Sequence, residues 1–325
     1  MSVIFYVKNR QKLLGLHKKD ILTVGDSLKI YENIQQFSYT PEEIEEHPDI
    51  LNMSLEKVHL VLGEKVRSFR GFELHYEKEE ESYSIRIMTP STRQDWLIGL
   101  EYIRLLALYL DSGIEVETGK KYNPADIKNY SFLKNIELGI EAFKEVIRDF
   151  KNVEKDDVSN SSLYSEEIVH QIGINQRPVC LSKEMVEKIL YSENRIEEYE
   201  KTVYNISNID AEDAIQSFYK NEKENKIFGS YIFIPDSKKV YPYKPYVEVQ
   251  NDKFIKQEEV DYWLLHVMTL NKNNEYTLLG TLDYDLFIKY LPKNKYRFID
   301  GVYILVEPFT EYEIKYFYGE YINKI

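Results

Sequence analysis

The chain has 325 residues, is 43% hydrophobic and 30% charged, and carries a formal net charge of -13. That length exceeds what one core fills efficiently, so two domains or two sub-cores are expected, and the acidic balance repels phosphate backbones and argues against direct nucleic-acid binding. A single cysteine, Cys180, excludes an intramolecular disulfide and any multi-cysteine zinc site, which fits a reducing, cytoplasmic compartment.

The N-terminus, Met1-Ser2-Val3-Ile4-Phe5-Tyr6-Val7-Lys8, alternates like a short strand over residues 3–7. It has no basic n-region or long apolar stretch, so neither a signal peptide nor a membrane span is expected. Ile21 to Val24 reads as a second strand ending at Gly25-Asp26. Thr40-Pro41-Glu42-Glu43 is a helix start, with a Thr cap, Pro in the first turn and Glu at the third position. Pro48 keeps that helix short. Strands are expected at 57–62 and 72–76, the latter pairing with Tyr83 to Met88 across the acidic tip Glu77-Lys78-Glu79-Glu80-Glu81.

The stretch Thr89 to Ser112 is the centre of the chain. Thr92 caps a helix, with Asp95 completing a capping box near the positive end of the helix dipole. Trp96, Leu100, Ile103, Ala107 and Leu110 share one face, and Leu97, Leu105 and Leu108 widen the apolar surface to nearly all sides. A helix of that kind, over 92–111, is expected to be a buried core helix. A strand at Ile114 to Glu117 follows, then a helix opening at Ser131 with Phe132, Ile136, Ile140, Phe143, Ile147 and Phe150 at helical spacing.

Residues 151–167 are polar and Ser/Asp-rich, which marks 151–175 as a linker between an N-terminal α+β domain at 1–150 and a β-rich α+β domain at 176–325. In the second part, short helices are expected at 183–190 and 211–219, and strands at 227–234, 246–249, 260–270 and 275–282. Tyr296 to Ile299 and Val302 to Val306 form a hairpin around Asp300-Gly301. A helix at 284–291 stops at Pro292, and a last helix starts at Thr310 with Glu313 as box partner and buries Ile314, Phe317, Tyr318 and Tyr321. Residues 87–96 and 305–314 both pass from strand through Pro to a Thr-capped helix. The expected fold is therefore α+β, with mixed or antiparallel sheets packed by helices and two related ββα-containing halves.

Phe5-Tyr6-Val7-Lys8-Asn9 with Leu13-Leu14-Gly15, the Leu22-Thr23-Val24-Gly25 stretch, and Thr89-Pro90 before Asp95-Trp96 resemble a family of uncharacterised bacterial proteins catalogued as a domain of unknown function. The resemblance implies a bacterial cytoplasmic origin and carries no activity, substrate or catalytic residue with it.

Val24-Gly25-Asp26-Ser27-Leu28 looks like the nucleophile block of the Gly-Asp-Ser-Leu esterases, whose Ser attacks an acyl carbon with the help of a His base and oxyanion donors. The remaining pieces of that pattern fit poorly: Gly173-Ile174-Asn175-Gln176 is the nearest second block, and Asp261 with His266 has the wrong spacing. A Gly-Asp turn leaving a strand is the simpler account. The six histidines, His17, His47, His59, His75, His170 and His266, show no one-turn helical pair, so no metal site is expected. Only His59 and His75 could converge, were their strands neighbours. Asp283-Tyr284-Asp285 sits at a strand-to-helix junction and reads as a cap. The 13 glycines are scattered, so no phosphate loop and no cofactor are expected. Tyr241-Pro242-Tyr243-Lys244-Pro245-Tyr246 holds two prolines that bar a central strand, which leaves an edge or extended loop displaying Tyr241, Tyr243 and Tyr246 as a contact surface. The functional expectation is a non-catalytic cytoplasmic protein that binds another, basic protein, in its narrower form an inhibitor or immunity-type factor covering the basic site of a nuclease or toxin. The alternative is an ester hydrolase using Ser27, with Asp261 and His266.

Overall fold

The structure is a computed structural model that describes residues 1–9, 20–152, 168–174, 178–248, 251 and 254–322. The chain folds into two compact units. The first comprises Met1–Asp149, Val169–Val179 and Glu184–Ser207, and the second Phe150–Ile168, Cys180–Lys183 and Asn208–Ile325. Both combine sheets with packed helices, an α+β fold.

The first unit is built on β1 (Ser2–Lys8), β2 (Gln35–Gln36), β3 (Leu60–Gly63), β4 (Phe72–Glu77), β5 (Ser82–Met88), β6 (Ile114–Val116) and β7 (Lys121–Tyr122). They form one antiparallel sheet in the order β2-β3-β4-β5-β1-β6-β7. The alternation of Val3, Phe5 and Val7 puts those side chains in the core, and β1 pairs with β5 on one side and β6 on the other. Two short helices, α1 (Val24–Leu28) and α2 (Pro41–Glu46), both start on capping boxes. The strand expected at Ile21–Val24 is absent. Only Thr23 makes an isolated bridge, to Ser54, because its hydroxyl accepts from the Asp26 N–H and begins α1 instead.

The central helix, α3 (Arg93–Tyr109), lies on the sheet with Trp96, Ile103, Leu106 and Ala107 fully buried. Trp96 stacks between Tyr130 and Phe132, at 5.9 and 5.7 Å, and meets Phe5 edge-on at 6.5 Å. Gly99 permits this close approach, since a Cβ there would lie 2.8 Å from Ile87 Cδ1. The helix is not buried all round, however. Leu97 and Leu108 are 48% and 53% exposed, because the sheet covers one side only. Asp95 is buried and does two jobs: it closes the capping box with Thr92, and Oδ1 accepts the N–H groups of Phe69 at 2.9 Å and Gly71 at 2.8 Å. Gly71 turns there with φ +64°.

The apolar stripe expected from Ser131 onward is carried by two helices, α4 (Leu133–Glu141) and α5 (Phe143–Asn152), with Ile136, Ile140, Phe143 and Ile147 buried. Strands β8 (Val169–Ile172) and β9 (Pro178–Leu181) form a small sheet, and α6 (Lys183–Tyr191) and α7 (Arg195–Ser207) follow. Sequence reading missed α7 and placed 184–207 with the C-terminal part, whereas these residues pack in the first unit. The reason lies in specific contacts at the start of α3. Glu200 accepts the Arg93 N–H at 2.5 Å and its Nε at 2.8 Å, the Tyr199 hydroxyl donates to Gln171 Oε1 at 2.9 Å, and the Tyr204 hydroxyl donates to the Arg67 carbonyl at 2.8 Å. Most of the expected linker, 153–167 and 175, lies outside the described residues.

The second unit has two mixed four-stranded sheets. Strands β10 (Glu212–Asp213), β13 (Lys239–Pro242), β16 (Tyr296–Phe298) and β17 (Tyr303–Val306) lie in the order β10-β13-β17-β16, and β11 (Ser217–Asn221), β12 (Lys226–Phe233), β14 (Tyr262–Leu270) and β15 (Tyr276–Asp283) in the order β11-β12-β14-β15. The pairs β10·β13 and β12·β14 are parallel. The helix expected at 211–219 is replaced by β10 and the start of β11; of the strand expected at 246–249, residues 246–248 are not in a strand and residue 249 lies outside the described residues. Helices α8 (Tyr284–Tyr290) and α9 (Glu311–Ile322) cover a core of Tyr231, Phe233, Tyr241, Leu265, Phe287, Ile304, Phe309 and Ile314. The order hairpin, Pro, Thr-capped helix recurs in both units, with Thr92–Asp95 opening α3 and Thr310–Glu313 opening α9.

Candidate functional site

Ser27 lies in the last turn of α1 and is fully buried. Its hydroxyl donates to the Val24 carbonyl at 2.6 Å, and its own carbonyl accepts from the Tyr102 hydroxyl at 3.0 Å. An attacking serine needs an accessible Oγ and a base within hydrogen-bond reach, and Ser27 has neither in this packing. Asp261 and His266 belong to the second unit. The Asp261 carboxylate accepts the Ile227 N–H at 2.8 Å, while His266 Nδ1 faces Thr281 Oγ1 at 3.2 Å, and burial lowers the His266 pKa. Gly173 and Ile174 are placed, whereas Asn175 and Gln176 lie outside the described residues.

His59 and His75 do become neighbours, because Leu60 pairs with Leu74 across β3 and β4. Their rings stack at 4.2 Å, and His75 Nε2 lies 3.3 Å from Glu77 Oε1. Burial and the neighbouring His59 lower the His75 pKa, against the opposing pull of Glu77. Face-to-face rings do not converge on one ion, and the described residues contain no group of three or more ligating side chains placed for a metal. Asp283 is the cap of α8, accepting from the Leu286 N–H at 3.1 Å.

The tyrosine stretch is placed differently from the expected exposed segment. Tyr241 is fully buried, its ring set against Tyr231, Phe233 and Phe287 and its hydroxyl donating to the Ile232 carbonyl at 2.9 Å. Tyr246 is buried too, hydrogen-bonded to Tyr303. Only Tyr243 keeps part of its ring exposed, 4.8 Å from Phe298. Nor do the prolines exclude an inner strand. β13 runs between β10 and β17, and Pro242 ends it beyond the two residues that β10 pairs, so its missing N–H leaves no ladder bond unmade.

The second unit displays aromatics elsewhere. A groove of about 370 Å³ runs between the end of α8 and the outer face of α9, lined by Tyr290, Lys295, Phe309, Tyr312, Tyr316 and Glu320 among others. Tyr312 and Tyr316 are 78% and 62% exposed. Lys295 anchors one end: its ammonium lies 4.7 Å from the centre of the Phe309 ring, 2.8 Å from Glu313 Oε1 and 3.0 Å from the Pro308 carbonyl. Glu313 is thereby fully engaged, since Oε2 accepts the Thr310 N–H at 2.8 Å. The Lys295 hydrogen bond and then the Thr310 backbone hold its carboxyl below the usual range. The groove can hold an elongated, partly aromatic or cationic group. Its sequence signal was available: Tyr312 and Tyr316 stand one turn apart on the face of the last helix that the core residues Ile314 and Phe317 leave free.

The model of one protein family, domain of unknown function (DUF4299), matches residues 2–316, across both units. The chain belongs to this family. No curated protein matches it, and no solved structure does. Tyr290, Lys295, Phe309, Tyr312 and Tyr316 all fall within the matched residues. No helix among the described residues is long and apolar enough to cross a membrane.

Proposed function

We propose that this member of the family is a non-catalytic, cytoplasmic protein that works by binding another, basic protein. The observation that carries the reading is the open groove of the second unit, where rigid exposed tyrosines stand beside carboxylates on a chain of net charge -13. Tyrosines contribute contact area at low entropic cost, and an acidic surface steers a basic partner toward it. In its narrower form the protein is an inhibitor or immunity-type factor whose acidic face covers the basic site of a nuclease or toxin. Ester hydrolysis through Ser27 has no support from the packing around that residue, and Ser27→Ala would leave any ester turnover of the preparation unchanged.

Affinity capture from the source cell, followed by titration of the purified partner at several salt concentrations, tests the reading. A partner of net positive charge whose affinity falls steeply with ionic strength supports it. Captured partners that are acidic, or that bind independently of salt, overturn it.

A further inference from the structure

We propose that the outer face of the sheet β11-β12-β14-β15 is where a second copy of this chain docks, the two sheets stacking face to face as a two-fold sandwich. The inference is independent of the groove at α9 and of the basic partner.

Alternation along the strands assigns the faces. Tyr231, Phe233, Leu265, Val267 and Leu282 point into the core of the second unit, so the residues between them point out. Helices α8 and α9 lie on the inner side: Phe287 meets Phe233 at 5.5 Å, and the Thr269 hydroxyl donates to Glu311 Oε1 at 2.9 Å. The outer side is apolar. Tyr219 on β11, Phe228 on β12 and Tyr262 on β14 pair directly in register, and their rings stack at 5.4 Å from each strand to the next. Leu278 and Tyr276, paired with Met268 and Leu270, carry the apolar surface to the far edge. Outward charge within these four strands appears only at the margins, at Lys226 and Asp283. Tyr219, Ile232 and Leu278 are 50%, 43% and 59% exposed. Four strands ~4.8 Å apart, the longest of 9 residues at ~3.4 Å each, give a face of roughly 400–500 Å² in projection. Apolar patches of that size on soluble proteins mark contact surfaces. With the relief of the rings, two such faces together reach about the 1,200 Å² at which stable interfaces begin.

Neutrality and relief together select a second copy. A basic partner is steered by carboxylates, and this face holds none between its margins. One outward row from the stacked rings, Ser217 pairs with Ser230 and leaves a trough beside the ridge. A two-fold axis running across the strands between these rows sets the ridge of each copy into the trough of the other, the self-complementarity that an isologous contact requires. Two sheets of the same right-handed twist then pack in the aligned arrangement of a sandwich.

The test is sedimentation equilibrium on the full chain, from about 1 to 100 µM protein and from about 0.05 to 0.5 M salt. Wild type should exchange between monomer and dimer. Because each copy carries a net charge of -13, the dimer should tighten several-fold as salt screens the repulsion, the reverse of what a basic partner would show. The double variant Tyr219→Lys, Ile232→Lys puts cations at positions already open to water, so circular dichroism should report an unchanged fold. It also lowers the net negative charge, so general repulsion cannot account for a loss of association. Its dimer should weaken at least about ten-fold. Should the lysines cost the fold, Tyr219→Ala, which removes one exposed ring, should still weaken the dimer several-fold. A wild type that stays monomeric across the whole range overturns the assignment, as does a folded double variant that dimerises as tightly as wild type. A monomeric wild type that captures a different protein, with capture lost in the double variant, gives the face to that protein and overturns the second copy equally.

Discussion

Asp95 shows how much one side chain can organise. Its carboxylate takes the N–H groups of Phe69, Arg70, Gly71 and Thr92 together with the Thr92 hydroxyl, so it fixes the start of α3 and the turn into β4 at once. Burial pushes its carboxyl upward, and the donors at Gly71, Thr92 and Arg70 pull the other way. Asp95→Ala would strand several buried donors at ~1–3 kcal/mol each. A loss of about 3 kcal/mol or more in urea unfolding is expected, and a loss below about 1 kcal/mol would show that water takes over those donors. The buried tyrosines make a second residue-level prediction. Burial raises Tyr83 and Tyr204 to about 12, and raises Tyr102, Tyr199, Tyr241 and Tyr284 as well. The unfolded chain releases these protons near the ordinary value of about 10, before the folded chain does. Stability is therefore intact below about pH 10 and is lost as pH rises from there toward 12 and beyond. Absorbance of phenolate should rise in two stages, exposed rings first and the buried class only with the unfolding signal. A single smooth titration of all 28 tyrosines near pH 10 would contradict the burial described here.

Among the elements, those with complete local punctuation were legible in the sequence. Thr40–Glu43, Thr92–Asp95 and Thr310–Glu313 each satisfy donors within one turn, so the helix starts follow from four residues alone. The failures share one physical cause, that partners distant in sequence decided the conformation. Residues 211–219 carry a plausible cap at Asp210, yet Glu212 and Asp213 pair with Lys239 and Val240, and Ser217 to Asn221 pair with Lys226 to Ser230. Tyr241 looked displayed because its neighbours are prolines, but only the tertiary fold tells that β17 and α8 enclose it. The opposite wall of the groove was hidden for the same reason. Tyr312 and Tyr316 read as ordinary outward positions until Tyr290 and Pro292 are placed opposite them. At the central helix, Trp96→Ala should cost about 3–5 kcal/mol, the usual range for truncating a buried aromatic. Trp96→Phe should cost less, roughly 1–2 kcal/mol, because the buried indole N–H has no partner to lose. Equal losses for the two variants would mean that the stacking on Tyr130 and Phe132 needs the full indole.

For the whole molecule, the order of segments matters more than their number. The first unit takes Met1–Asp149, then Val169–Val179, then Glu184–Ser207, with short pieces of the second unit between them. A fragment ending at residue 150 would lack Tyr199, Glu200 and Tyr204, and with them the partners of Arg93 and of the Arg67 carbonyl. Fragment 1–150 should therefore melt at a lower temperature than fragment 1–207, by a margin that circular dichroism resolves. Identical melting curves would show that α6 and α7 add nothing to the first unit. The same interleaving reaches into the making of the chain. A ribosome adding about 5–20 residues per second needs roughly 3–12 s to pass from residue 149 to residue 207. Through that interval the nascent sheet and α3 wait without α7, so the first unit is completed only after the opening piece of the second has been synthesised, and a truncation before residue 200 would release a chain in which Arg93 lacks its Glu200 partner.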